Sequence, residues 1–231
     1  MKRISFTILI TVLYLSTMAQ LKVPGVNWKE SYSFDKSNKF KVDFYDKKGM
    51  LMRAMDYQTY YQTQGKDFDV LLVDDGRGNN TETIFDLENE VAIQIFKSKN
   101  VPYMHNAGRF IFPDSASTKK LELIPTSETK DILGYTCKKY TYTYKKIFGE
   151  CWICPEISLS NDYGIFRAAK MAALHNTLSA GGFVMEMTTE DKTGAKTVMR
   201  TVSLNNSESY SANLKKADMG TAINKVSYYT F

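Results

Sequence analysis

The C-x-x-C interval of Cys151-Trp152-Ile153-Cys154 is the spacing most suggestive of chemistry in this chain of 231 residues. That interval serves thiol redox centres and forms half of many zinc sites. A redox centre sets its first cysteine at a helix N-terminus, where the dipole lowers the thiol pKa. Here the flanks alternate like a strand and Pro155 follows, so Cys151 and Cys154 should point to opposite faces. A thiol-redox protein using Cys151 and Cys154 is therefore the less favoured reading. Zinc needs four ligands, and beyond this pair only Cys137, His105 and His175 remain, with no second close-spaced pair. No metal or cofactor is expected. The structural reading is simpler: a hairpin closing near Lys146 brings Cys137 roughly opposite Cys154 or its neighbours, so any disulfide should join Cys137 to one member of the Cys151/Cys154 pair, with Cys154 the preferred partner.

Other reaction signatures are absent from the sequence. It has no G-x-S-x-G elbow, H-E-x-x-H pair, phosphate-cradling G-x-x-x-x-G-K or G-x-G-x-x-G. The carboxylate pairs Asp74-Asp75 and Glu190-Asp191 sit in turn-forming runs, where solvated loops explain them. His105 and His175 read as surface or packing residues. An enzyme is thus the less favoured class, and no catalytic residue is assigned.

Methionine supplies a different kind of chemistry. Met50, Met52, Met55, Met185, Met187 and Met199 fall in or beside strand-like segments, and flexible, polarizable thioethers adapt to ligands of varied shape. Met52, Met55, Met185, Met187 and Met199 are the candidate ligand-binding residues for an apolar small molecule such as an acyl chain, a lipid or a lipidated segment. The competing explanation is that they fill the core. A second function class is a protein- or glycan-interaction module of the cell envelope, with Tyr57, Tyr60 and Tyr61 presented as amphipathic contacts; the competing explanation is that these tyrosines sit over the core.

The elements that would position these residues are mostly strands. Phe40, Val42 and Phe44 alternate with Lys41 and Asp43, the period of a half-buried strand. Tyr140, Tyr142 and Tyr144 share one face of 135–144, and Val91, Ile93 and Ile95 share one face of a strand that follows a turn at Glu88-Asn89-Glu90. Asp191-Lys192-Thr193-Gly194 suits a short hairpin loop, and Asp74 to Asn80 an exposed tip. Roughly nine or ten strands follow from such segments. Helix is expected only over about 165–178, where Ala168, Met171, Ala172, Leu174, His175 and Leu178 recur at helical intervals, and more weakly between 102 and 113.

The first 19 residues read as an export signal: Lys2 and Arg3, an apolar run over 4–15, then Thr17-Met18-Ala19. The apolar run falls short of the ~20 residues that span a bilayer, and no later segment is long and apolar enough, so no transmembrane segment is expected after cleavage. Without Lys2 and Arg3 the formal charge of +5 falls to +3, too mild to argue for nucleic acid. The expectation is a signal peptide at 1–19 and one β-rich domain over 20–231, exported to the periplasm or outer envelope.

Ile132-Leu133-Gly134-Tyr135-Thr136-Cys137-Lys138-Lys139 resembles the I-x-G-Y-x-C-x-K signature of exported bacterial families of unknown function whose fold is like that of the lipoprotein carriers LolA and LolB. Glu150-Cys151-Trp152-Ile153 and Gly182-Phe183-Val184-Met185-Glu186-Met187 follow in the expected order, with Phe183 and Val184 standing where those families carry leucine and proline. The resemblance implies a mainly β, α+β fold: a strongly curved antiparallel sheet or partly open β-barrel, with one or two helices covering its concave side. It implies no activity.

Overall fold

A computed structural model of the protein describes residues 26–27, 29–62, 68–74, 80–97, 104–109, 123–144, 146–157, 181–214 and 218–219. These carry β1 (Ser31–Phe34), β2 (Lys36–Tyr45), β3 (Leu51–Tyr61), β4 (Phe68–Asp74), β5 (Asn80–Asp86), β6 (Val91–Lys97), β7 (Met104–Arg109), β8 (Ile124–Ile132), β9 (Tyr135–Tyr144), β10 (Ile147–Cys154), β11 (Phe183–Glu190), β12 (Lys196–Asn205), β13 (Tyr210–Asn213) and β14 (Asp218–Met219). Twelve strands form one sheet in the order β14-β7-β6-β5-β4-β3-β2-β12-β11-β10-β9-β8, while β1 and β13 make a separate pair. All pairings are antiparallel except β14 with β7. Among the described residues nothing joins β8 to β14, and they show no closed barrel.

Among the described residues there is no α-helix. The helix expected between 102 and 113 is overturned over 104–109, which form β7 and pair with β6 from Phe96↔Met104 to Val91↔Arg109. Gly108 weakens a helix there, and the open edge of β6 offers backbone partners that bury Ala107 completely. The leader at 1–19, the helix at 165–178 with His175, and the loop at 75–79 lie outside the described residues.

The β5–β6–β7 wing is covered on both faces. Ile84 pairs with Ile93 and Ile93 with Ala107, which puts these side chains on one face with Val91 and Ile95. They pack with Tyr32, Phe34 and Ala212 of the β1/β13 pair. Two tyrosine–carboxylate bonds fasten the layers, since Tyr32 Oη donates to Asp86 Oδ2 at 2.7 Å and Tyr210 Oη to Glu82 Oε1 at 2.7 Å. Asp86 also accepts from the Asn89 amide at 2.9 Å and from Asn89 Nδ2 at 2.8 Å, so this buried carboxylate is satisfied. The opposite face of the wing buries Phe85 and Ala92 in a second cluster with Phe40, Val42, Met55, Tyr57 and Tyr61.

Of the two expectations for Tyr57, Tyr60 and Tyr61, exposed contacts or packing over the core, the second holds: all three are buried. Tyr57 stacks on Phe40 with centroids 4.9 Å apart, and Tyr60 on Tyr210 at 4.2 Å. Their strand runs through the middle of the sheet, where neither face is free to present a ring to a partner.

Candidate functional site

Register brings three of the candidate methionines together. Met187 pairs with Met199, Met199 with Val42 and Val42 with Met55, while Cys151 pairs with Met187 on one side and Tyr140 on the other. Directly opposed residues of antiparallel strands share a face. Tyr140, Cys151, Met187, Met199, Val42 and Met55 therefore form one transverse row over six strands, about 24 Å long at ~4.8 Å per strand. Val42, Cys151 and Met55 are buried, whereas Met187 and Met199 remain half-buried. Tyr57 Oη donates to Met55 Sδ at 3.6 Å, which orients one end of the row.

One residue along, the opposite face is charged. Lys139, Trp152, Glu186, Arg200, Lys41 and Asp56 form the neighbouring row by the same pairings. Lys41 meets Asp56 at 3.5 Å, Arg200 reaches Asp43 at 2.8 Å, and Lys139 reaches Glu150 at 3.1 Å. The Trp152 ring lies under two ammonium groups, Lys130 at 4.6 Å and Lys139 at 5.6 Å. Hydrogen bonds to Glu150 and then Glu128 raise the Lys139 pKa, which keeps it cationic. This side is built for water, and the methionine side is not.

Past the methionine row, the same face turns polar. Thr201 pairs with Phe40 and Phe40 with Tyr57; beyond them Leu204 pairs with Asn38 and Asn38 with Thr59. Asn38 Oδ1, Thr59 Oγ1 and Thr201 Oγ1 are buried without hydrogen-bond partners. An unmet buried hydroxyl or amide costs roughly 1–3 kcal/mol, and three on adjacent strands of one face make an uncharged polar cluster beside an apolar row.

The remaining candidates separate. Met185 lies at the β10–β11 bulge and is fully buried with Phe183, Cys137 and Cys154. Met52 is exposed at the start of β3, away from the row.

The cysteines occupy strand geometry. Cys151 and Cys154 both belong to β10, and residues three apart on a strand lie about 10 Å apart at their α-carbons, beyond the ~7 Å reach of a disulfide. Cys137 falls opposite Cys154, one residue beyond the pairing Ile153↔Lys138. The two are buried free thiols, and Cys137 Sγ donates to the Tyr135 carbonyl oxygen at 3.5 Å. Burial pushes the Cys151 thiol up to about 12, with the Glu150 charge adding to it. Burial and then Cys154 push Cys137 up to about 11. Neither is a thiolate nucleophile at neutral pH. Gly182 is fixed by this corner: at φ +118°, a Cβ there would lie 2.3 Å from the Cys154 carbonyl oxygen. Among the described residues, no three His, Cys, Asp or Glu side chains gather as metal ligands. No described helix is long and apolar enough to cross a membrane.

Alternation in the sequence shows which way each methionine points along its own strand. It does not show that Met55, Met187 and Met199 share a row, because that depends on register across β2 and β12. The orphaned polar atoms had no sequence signal, since Asn38, Thr59 and Thr201 look like ordinary strand residues.

No protein family matches the chain, and no curated protein matches it. Among solved structures, PNGF-II is similar at 16% identity and a TM-score of 0.42, over 82% of this chain and 31% of that one. The chain thus spans under a third of the length of that protein. An uncharacterized conserved protein from Thermus thermophilus is similar at 11% identity and a TM-score of 0.42, over 81% of this chain and 90% of that one. A putative outer membrane lipoprotein-sorting protein domain from Vibrio parahaemolyticus is similar at 7% identity and a TM-score of 0.23, over 74% of this chain and 85% of that one. Likeness this weak assigns no function.

Proposed function

We propose that this is a non-catalytic exported envelope protein that holds an apolar ligand, an acyl chain or lipidated segment, along the methionine row. The observation that carries the reading is the alignment of Met55, Met199 and Met187 across β3, β12 and β11, on the face opposite a row of ion pairs. A core filled for stability alone favours well-defined, fully buried rotamers, whereas half-buried thioethers in file offer an adaptable surface. The uncharged polar atoms of Asn38, Thr59 and Thr201 lie on the same face and suit a hydroxyl- or amide-bearing head on that chain. Export is supported by the order of charged, apolar and small residues at 1–19.

Native mass spectrometry of the chain recovered from its own envelope tests this reading. A co-purifying acyl species, reduced in a Met187→Glu/Met199→Glu variant, is the expected result. A uniformly ligand-free mass in both proteins would contradict it.

A further inference from the structure

The exposed apolar side chains are concentrated at one end of the sheet. Met50, Leu51, Met52, Ile147 and Phe148 are all exposed there, Met52 at 61% and Phe148 at 58%. Register proves the common end. Phe148 pairs with Glu190, Glu190 with Lys196, Lys196 with Tyr45 and Tyr45 with Leu51, so Phe148 and Leu51 stand in one row, four strand spacings or about 19 Å apart. The β2–β3 and β11–β12 turns, and Lys146 ahead of β10, lie beyond it.

Two of these turns are built alike. In Asp46-Lys47-Lys48-Gly49-Met50, the Asp46 carboxylate accepts from the amides of Lys48 and Met50, both at 2.8 Å. In Asp191-Lys192-Thr193-Gly194-Ala195, Asp191 accepts from Thr193 at 2.7 Å and Ala195 at 3.1 Å. Each loop also closes a glycine amide on its aspartate carbonyl at 3.0 Å, and the glycines hold φ of 79° and 86°. The tips abut, with the Cβ position of Gly194 3.8 Å from the Lys47 carbonyl oxygen. Their backbone amides are therefore largely satisfied from within, which lowers the desolvation cost of setting them against a lipid interface. Around the apolar side chains stand the exposed cations Lys47, Lys48, Arg53, Lys146, Lys192 and Lys196. Of the three carboxylates at this end, Asp46 and Asp191 cap their own turns and Glu190 pairs with Lys196 at 3.0 Å.

We propose that this rim docks the protein on an anionic bilayer surface, with Met50, Leu51, Met52, Ile147 and Phe148 entering the headgroup boundary and the lysines lying against lipid phosphates. Apolar side chains fringed by lysine are the composition of an interfacial anchor, and excess positive charge selects anionic headgroups. The lysines also argue against a flat apolar protein partner, whose contact would have to desolvate them. This inference does not rest on the ligand reading, because the rim and the methionine row share no residue.

The test is co-sedimentation of the chain recovered from cells, its N-terminus defined by intact mass, with vesicles of phosphatidylcholine containing phosphatidylglycerol or of phosphatidylcholine alone. Expected is binding to the anionic vesicles that weakens with salt. It should fall more than tenfold in Met52→Glu/Phe148→Glu and in Lys47→Glu/Lys48→Glu. Leu133→Glu, exposed at the opposite end, should bind as the parent does. Circular dichroism of the variants confirms that they fold. Equal binding to both vesicle types, no binding to either, or rim variants that bind like the parent would overturn the proposal. So would rim variants whose only change is a lost self-association.

Discussion

The β5–β6–β7 wing and the β10–β11–β12 span belong to one sheet and are built in opposite ways. In the wing, Ile84, Ile93, Ile95 and Val91 are at most 1% exposed, and every buried carboxylate there has a tyrosine donor. In the span, half-buried Met187 and Met199 pack against a small buried cluster of Cys151, Ile153 and Val184, and orphaned polar atoms collect nearby on β12, β2 and β3. Stiff β-branched side chains fill the wing with few alternatives, while the span sets two half-buried methionines that can repack beside its smaller β-branched cluster. The contrast teaches that stability is concentrated in one region and adaptability in the other.

The largest effect should come from opening the wing. Ile93→Ala, between Ile84 and Ala107, is expected to cost about 4 kcal/mol of unfolding free energy in a urea titration. Met199→Ala should cost clearly less, because its site is already half-open. Equal losses would dissolve the distinction between the regions.

Alkali should act on the buried thiols of β9 and β10, together with the buried Tyr142 hydroxyl, whose pKa burial also raises. Unfolded thiols ionise near 9.0, while Cys151 in the fold is held to about 12 and Cys137 to about 11. A raised folded pKa means that the native state keeps the proton longer. The thiol contribution is thus complete below pH 9 and is lost as pH rises from 9 towards 12, by up to about 1.4 kcal/mol per pH unit per group. Chemical denaturation across this window should show the fall, with a shallower slope in Cys151→Ala. An identical slope in both would contradict it.

A disulfide would sharpen the contrast further. In an oxidising compartment, exchange with a disulfide oxidant should join Cys137 to Cys154, and closing this loop stabilises by roughly 3 kcal/mol. Peptide mapping of unreduced protein is expected to find that link; a link between Cys151 and Cys154 would mean that β10 is not the strand described. The smallest effect on stability belongs to Met187→Leu and Met199→Leu, each under about 1.5 kcal/mol. Their loss should appear instead as weaker retention of an acyl chain.

Much of this fold was legible from alternation and turns. The hairpin at Glu88-Asn89-Glu90, the loop at Asp191 to Gly194 and the inward set Val91, Ile93 and Ile95 are local signals, and local signals survive in the sequence. β7 was misread because 104–109 has no strand alternation; its conformation is imposed by the edge of β6. For Tyr57, Tyr60 and Tyr61 the sequence left exposure and core packing both open, because aromatics on a strand look amphipathic until both faces are covered, and coverage is tertiary. The likeness of the two D-K-x-G turns was visible in the sequence, but their adjacency needed the β2–β12 pairing. Of the candidate site, the residue type was legible and the row was not.

The most direct test of ligand binding on the row is NMR of protein labelled with [methyl-13C]methionine, titrated with a medium-chain fatty acid. The methyl signals of Met55, Met187 and Met199 should shift together and saturate, and the Asn38 side-chain amide should shift with them. Saturable shifts confined to Met50 and Met52, or none at all, would contradict the claim that the methionine row holds the ligand.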